Sequence, residues 1–341
     1  MKEKTCLALF SGGLDSMLAI KVMEAQGIKV IVLNFNTGFF FKNYKEIDGV
    51  LKYIKPTLPG IEVNVIDIRN DFFETLKAPA YGYGSNMNPC IDCKILMLTK
   101  AKALMSVYDA GFVITGEVLG QRPMTQNERA IKIIQKRCGL EGYLIRPLSA
   151  KLLDETEPEK LGWVDRNKLL DINGRGRKRQ YELAKEFNIP EEYIQQPAGG
   201  CILTEEAYSK RLRDFLPDLS TEPEDRNLEL KLLSVGRQFR KDKVKFIIGR
   251  NETDNKFLLR FKGLSEYSVF EPAEEIAGPV VITRNAISDD IKKFLAEATA
   301  AYSDGKDMES MDIIITNGNT MSKLTVKPGV KSELTKLRVD I

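Results

Sequence analysis

The chain has 341 residues, 43% of them hydrophobic and 29% charged, which suits a globular protein of one large or two ordinary domains with a full core. A net charge of +3 permits a nucleic-acid partner without arguing for one, and no apolar run reaches the roughly 18 residues that a membrane span needs. Histidine is absent, so acid–base work falls to Asp, Glu, Lys, Tyr, water or the substrate, and any metal must be held by Cys or carboxylate.

MKEKTCLALF runs straight into a strand-like segment with no signal-peptide core, so a cytosolic location is expected. TCLALF (5–10) reads as a buried strand. LDSMLAIKVMEAQG (14–27) reads as a helix with Leu14, Leu18, Val22 and Ala25 on one face and Gly27 as its stop. KVIVLNFN (29–36) is a second strand, residues 43–55 a helix closed by Pro56, and EVNVIDI (62–68) a third strand. ILMLTKAKALMSVYDAG (95–111) is a helix ending at Gly111, FVITGEV (112–118) a fourth strand and GYLIRPLS (142–149) a fifth. Alternating strands and helices imply a mostly parallel sheet covered on both faces, with ligands at the carboxyl ends of the strands. From 151 to about 220 the chain is helical and charged, and STEPEDR (220–226) reads as a linker. Beyond it, LKLLSVGRQFR, KVKFIIGR, FLLRFKG and PVVITRN read as strands, 285–302 as a helix, and MDIIITNG and MSKLTVKPG as two last strands. The expected organisation is an α/β domain over 1–222 and a smaller α+β domain over 223–341.

The loop Ser11-Gly12-Gly13-Leu14-Asp15-Ser16 lies between the first strand and helix. Two glycines let the backbone approach an anion, and the helix start offers free N–H groups at its positive end. Ser11 and Ser16 add hydroxyls. Asp15 would repel phosphates unless a cation such as Mg²⁺ bridged them.

The five cysteines are Cys6, Cys90, Cys93, Cys138 and Cys201, an odd count that argues against a disulfide framework. Cys90 and Cys93 form a CxxC just before a helix, where the dipole favours thiolate. Cys201 lies 201 − 93 = 108 residues further on, after Gly199 and Gly200, so the fold must bring it back. Three soft thiolates without histidine suit an iron–sulfur cluster better than zinc, and a [4Fe–4S] cluster on three cysteines leaves one iron open. A persulfide relay between Cys93 and Cys201, and plain structural thiols, stay open beside it. Cys6 and Cys138 read as core or neutral thiols. GRGRKRQ (174–180) carries Arg175, Arg177, Lys178 and Arg179, a cluster that can neutralise RNA phosphates or form a solvated helix start.

SGGLDS resembles the PP-loop of the N-type ATP pyrophosphatases (adenine nucleotide alpha hydrolase-like fold), whose pattern is SGGxDS. The resemblance implies that the loop grips the β,γ-pyrophosphate while ATP is cut between α and β, so no Walker lysine is needed. It continues at LNFNTG (33–38), where Asn34, Phe35 and Asn36 match the adenine-contacting stretch. It extends through Thr115 and Gly116 in ITGEVLGQRP (114–123), where Glu117 stands in place of the family's usual His. YLIRPLSAK (143–151) resembles the RPL segment, whose Arg146 meets phosphate or ties down the sheet edge. PP-loop domains with cysteines in these regions are similar to tRNA thiolation enzymes. One branch passes a persulfide between two cysteines, and the other holds a [4Fe–4S] cluster on a CxxC and one distant Cys, the arrangement present here. The tail faintly resembles the RNA-binding module of NFACT proteins in IGRNETDNKFLLRF (248–261) and PVVITRNA (279–286), which makes Arg250, Asn251, Lys256 and Arg284 candidate RNA contacts. A THUMP segment, which begins some 4-thiouridine synthases, is not expected, so that subgroup's substrate is not assumed.

The resemblance implies an ATP-dependent tRNA sulfurtransferase that adenylates a uridine carbonyl oxygen and replaces it with sulfur. Asp15, Cys93 and Cys201 would carry the chemistry, with ATP, Mg²⁺ and a [4Fe–4S] cluster (or zinc, or no metal) as cofactors. Expected partners are tRNA and a sulfur donor, either free sulfide or a sulfur-carrier protein. No membrane is expected, and a homodimer is one open option. Two other classes remain: a PP-loop ligase forming an amine or amide bond on RNA, and a non-catalytic ATP/RNA-binding protein with a zinc clip.

Overall fold

A computed structural model describes residues 4–41, 43–48, 50–55, 57–194, 200–273, 276–284 and 287–341. The chain divides into two compact units, Met1–Thr204 and Glu205–Ile341. In the first unit, β1 (Thr5–Leu9), α1 (Leu14–Glu24) and β2 (Lys29–Asn36) precede a hairpin of β3 (Tyr44–Ile47) and β4 (Val50–Tyr53). There follow β5 (Val63–Asp67), α2 (Arg69–Lys77), α3 (Cys90–Leu104), β6 (Phe112–Thr115), α4 (Glu128–Cys138), β7 (Leu144–Ile145), α5 (Glu157–Lys160) and α6 (Lys178–Glu186).

The sheet order is β5-β2-β1-β6-β7, all parallel, with Leu9 paired to Leu33 on one side and to Thr115 on the other. β1 is buried along its whole length, as a central parallel strand must be. Cys6 and Ala8 face a layer with Met17 and Leu18 of α1 and Leu183 and Ala184 of α6. Leu7 and Leu9 face the opposite layer, with Leu98 of α3 and Ile134 of α4. Each of the Leu, Ile and Met side chains among them, fully buried, contributes about 1.5–3 kcal/mol. Parallel pairing puts the ends of β1, β2 and β6 on one edge, so residues 11–16, 36–38 and 115–121 meet there.

Several expected elements differ. Within 43–55 the chain forms the β3–β4 hairpin, not a helix, and Asp48 after β3 takes a left-handed φ of 52°; Gly49 and Pro56 lie outside the described residues. β7 keeps only two residues of the expected strand 142–149, because Pro147 has no N–H to pair. The helix expected from 95 starts at Cys90 and ends at Leu104, so both CxxC cysteines sit in its first turn.

The second unit holds α7 (Glu206–Phe215), α8 (Pro223–Leu232), β8 (Arg237–Lys241), β9 (Val244–Ile248), α9 (Glu252–Leu258), β10 (Tyr267–Pro272) and β11 (Val281–Arg284). α10 (Asp289–Ala301), β12 (Met311–Asn317), β13 (Thr320–Val326) and α11 (Lys331–Thr335) complete it. Its antiparallel sheet has the order β13-β12-β10-β11-β9-β8. Leu295 and Ala296 of α10 pack on one face with Phe246 and Ile313, while Leu232 of α8 and Leu258 of α9 pack on the other with Val269 and Ile282. Of the linker expected at 220–226, residues 223–226 are the first turn of α8, opened by Pro223, whose fixed φ suits that position. The strand expected at 257–263 is the end of α9, whose start is capped by the Asn251 side chain accepting the Asp254 N–H, followed by a 3₁₀ turn. Helix α10 begins at Asp289 rather than 285, with Ser288 capping the Ile291 N–H; residues 285–286 lie outside the described set.

Lys245 on β9 projects under Phe215 of α7, its Nζ 3.7 Å from the ring centre and without a hydrogen-bond partner among the described residues. Burial pushes its ammonium down to about 7, and the charges of Asp214 and Asp218 only partly offset that, with Arg240 and Arg211 acting the other way. The unfolded chain binds that proton up to about pH 10.4, so the stability of this unit rises between about pH 7 and pH 10. Lys245→Met is expected to raise the urea midpoint at pH 7 and to flatten that rise. An identical slope in both proteins would contradict the assignment. No helix among the described residues is long and apolar enough to cross a membrane.

Candidate active site

Gly12 takes a φ of +79°, which a side chain resists, and Gly13 caps α1 in an extended conformation. The loop hydroxyls close on themselves. Ser16 Oγ donates to the Gly13 carbonyl at 2.7 Å, Ser11 Oγ to Ser16 Oγ at 3.4 Å, and the Gly13 N–H reaches Ser11 Oγ at 3.4 Å. A Cβ on Gly12 would lie 2.0 Å from the Tyr53 hydroxyl, so β4 of the unforeseen hairpin roofs the loop. That hydroxyl is buried with no partner among the described residues, and burial pushes it up to about 12.

Gly116, just past β6, is the other close approach. A Cβ there would sit 2.5 Å from the Asp15 carbonyl carbon, its oxygen and the Ser16 nitrogen. Because backbone is the obstacle, Gly116→Ala must push α1 away from β6. It is expected to lower stability by about 1–3 kcal/mol, read by thermal melting and by the urea midpoint. Wild-type values in both would contradict the packing argument.

Asp15 lies in the first turn of α1. Its Oδ2 accepts from Gln121 Nε2 at 2.9 Å and from Arg177 Nη2 at 3.0 Å, while Oδ1 is buried without a partner among the described residues. Of the four cations in the basic stretch, Arg177 is the one that turns inward. Arg175, Lys178 and Arg179 are exposed, and Arg179 pairs with Glu182 and Glu186. Leu119 bridges Asn173 in parallel and accepts the Gly174 N–H at 2.7 Å, which seats this stretch beside Gln121.

Asn34 and Asn36 are used by the fold. Asn34 donates to the Phe10 carbonyl at 2.7 Å and accepts from the Tyr44 hydroxyl at 2.5 Å, Asn36 accepts the Gly38 N–H at 3.0 Å, and Phe35 is buried in the core. Thr115 Oγ1 donates to Glu117 at 3.1 Å. Arg146, fully buried, donates through Nε to the same Glu117 oxygen at 3.1 Å, and its two terminal nitrogens have no partner among the described residues. Such an orphaned guanidinium is costly unless an anion arrives. Burial alone would raise the Glu117 carboxyl, but Lys94 and Arg146 outweigh it and hold it below the usual range.

Lys94 ties the cysteines to this edge. It follows Cys93 on α3 and lies 3.6 Å from Glu117, whose neighbour Gly116 touches Asp15. The CxxC turn is anchored by the buried Asp92, which accepts the Ala80 and Tyr81 N–H groups, and Asn88 donates to Cys90 Sγ at 3.2 Å. The Cys201 segment returns through Asn86 Nδ2 to the Thr204 carbonyl, 2.7 Å, and the Ile202 N–H to the Phe39 carbonyl, 3.2 Å. Gly200 takes a φ of +64°; Gly199 lies outside the described residues.

Burial pushes the Cys93 thiol up, and the charges of Cys201 and Cys90 push it further against the opposing pull of Lys94. Burial pushes Cys201 up to about 12, with Cys90 adding to it. Each of the three therefore lies within another's electrostatic reach. Among the described residues, however, no group of three His, Cys, Asp or Glu side chains stands at metal-binding spacing. Cys6 is fully buried in β1 and Cys138 nearly so at the end of α4, both pushed up by burial.

In the second unit, the four candidate RNA contacts already have partners within the chain. Arg250 holds Asp254, Asn251 caps α9, Lys256 pairs with Glu252, and Arg284 pairs with the buried Glu229. Composition did not single out Gln121, Tyr53, Tyr44 or Lys94. The DG turn was the available signal for the tyrosine hairpin, and Gln121 stood inside ITGEVLGQRP.

Residues 2–155 match the family described as thiamine biosynthesis protein (ThiI), and residues 236–338 match the NFACT protein RNA binding domain. Over 115 residues the chain is 25% identical to a Thermococcus kodakarensis protein named probable tRNA sulfurtransferase, covering 34% of this chain and 30% of that one. It is 38% identical over 77 residues to a 7-cyano-7-deazaguanine synthase of a Sulfurovum species, covering 23% and 33%. It is 26% identical over 176 residues to the tRNA-specific 2-thiouridylase MnmA of Petrotoga mobilis, covering 47% of each. The chain thus spans less than half the length of these curated relatives.

Proposed function

We propose that this chain, which joins a PP-loop domain of the ThiI family to an NFACT-type RNA-binding domain, is an ATP-dependent tRNA sulfurtransferase. The observation that carries the reading is one compact unit holding an anion-ready loop and Cys93, which sits next to the Lys94–Glu117 ion pair with Cys90 and Cys201 in its electrostatic reach. The orphaned Arg146 nitrogens and Asp15 Oδ1, with the two close glycines, fit a bound polyphosphate and its cation. Asp15 would hold Mg²⁺ on the phosphates, and the 12–16 loop amides would take the charge of departing pyrophosphate.

The reaction balances as follows. A uridine carbonyl oxygen attacks the α-phosphorus, pyrophosphate leaves, and the ring N–H proton is released. Hydrosulfide then attacks the activated ring carbon, the carbon–oxygen bond to AMP breaks, and the hydrosulfide proton stays with the thiouridine. Cys90, Cys93 and Cys201 would hold a [4Fe–4S] cluster, which when bound supplies the sulfur. A second reading, which needs no metal, rests on the electrostatic reach of Cys201 to Cys93. There a persulfide on Cys93 or Cys201 attacks the ring carbon and displaces AMP. The other thiol then releases thiouridine by forming a Cys93–Cys201 disulfide, which a thiol reductant must reopen.

Anaerobic purification and a thiolation assay with ATP, tRNA and either sulfide or a persulfide donor test this. About four irons per chain and sulfide-dependent thiouridine support the cluster. Thiouridine from an iron-free chain supports the relay. ATP cleaved to AMP without sulfur incorporation would point to a ligase, and one zinc with no turnover to a binding protein.

A further inference from the structure

The basic stretch carries a second assignment. We propose that Arg177 is a phosphate-binding residue of the nucleotide site, held in reserve by Asp15 until Mg·ATP arrives. This rests on the nucleotide reading of the 11–16 loop and goes beyond it, because nothing in the loop itself requires a cation from residue 177.

Three observations converge. Arg177 Nη2 lies 3.0 Å from Asp15 Oδ2, across 162 residues of sequence, and its side chain is only 15% exposed. Gln121 Nε2 donates to the same oxygen at 2.9 Å, so one carboxylate oxygen is fully engaged while the other is bare. Around that pair, Asp15 Oδ1, Gln121 Oε1 and Arg177 Nε are all buried without hydrogen-bond partners among the described residues. Unpaired polar atoms of both kinds in one place mark a site whose hydrogen bonds are completed by something else. A polyphosphate carrying a divalent cation has both kinds of partner. Its cation takes the Asp15 oxygens, and its oxygens take the released guanidinium fork.

The exchange keeps Asp15 neutralised throughout. Arg177 neutralises Asp15 in the empty site, and the cation does so in the loaded one. Because the rest of GRGRKRQ is exposed, Arg177 also separates from its neighbours in role. They face solvent, where RNA phosphates can reach them, and it faces the loop.

The test is calorimetric titration of the full chain with Mg²⁺ and α,β-methylene-ATP, which cannot be cut at the reacting bond, and separately with adenosine. Arg177→Ala is expected to weaken the triphosphate analogue about tenfold or more, and adenosine less than about twofold. Arg177→Lys is expected to restore part of the loss, since it keeps the charge without the fork. Circular dichroism confirms that each variant is folded. An unchanged analogue affinity, or an equal loss for adenosine, overturns the proposal. So does a lowered tRNA affinity with unchanged analogue binding, which would return Arg177 to the RNA face. Failure of the unmodified chain to bind the analogue removes the nucleotide reading itself, and this proposal with it.

Discussion

Cys93→Ser is expected to lower tRNA thiolation by at least ~10³-fold while leaving affinity for an ATP analogue within about twofold. The thiol is half-buried on the first turn of α3, where an oxygen fills nearly the same volume, so folding tolerates the change. The hydroxyl neither binds soft metals well nor carries a persulfide. Cys201→Ser should behave alike, and the double variant should lose no more than either single one, because both thiols serve one centre. Thiouridine formed per hour, by nucleoside mass spectrometry, checks this. A variant with substantial activity would remove Cys93 from the chemistry.

Asp15→Asn separates the other half of the reaction. It keeps the shape and the hydrogen bond from Gln121 but removes the charge that Arg177 and a divalent cation both need. ATP cleavage to AMP and pyrophosphate should fall by ~10²–10³-fold. The cysteine variants, in contrast, should retain adenylation in the presence of tRNA. Pyrophosphate release, measured for both sets side by side, reports the split. If Cys93→Ser abolished pyrophosphate release as fully as Asp15→Asn, sulfur delivery would precede activation and the order proposed above would be wrong.

Much of this site could be read from local chemistry. SGGLDS declares a strand, a turn with a positive φ and a helix start within six residues, each from a short-range preference. The parallel sheet followed from the alternation of TCLALF, KVIVLNFN and FVITGEV with helical runs. Residues 43–55 were misread because their lysines, glutamate and tyrosines also suit a helix, and only the DG turn marks a hairpin. In the second unit, Pro223 and Asn251 act as helix-starting residues inside stretches that look like a linker and the lead-in to a strand. The role of Arg177 was not legible. Four cations within five residues are equivalent in sequence, and the one that turns inward is chosen by the pairing of Leu119 with Asn173, far away along the chain. The same holds for Arg146, whose depth and orphaned nitrogens depend on Glu117 and Lys94, which lie on other elements.

The central claim is that this chain puts sulfur into tRNA. Nucleoside mass spectrometry of bulk tRNA from cells with and without the intact gene measures that directly. One thiolated nucleoside should vanish in its absence, return with the wild-type chain, and fail to return with Cys93→Ser. An unchanged set of thiolated nucleosides would contradict the account.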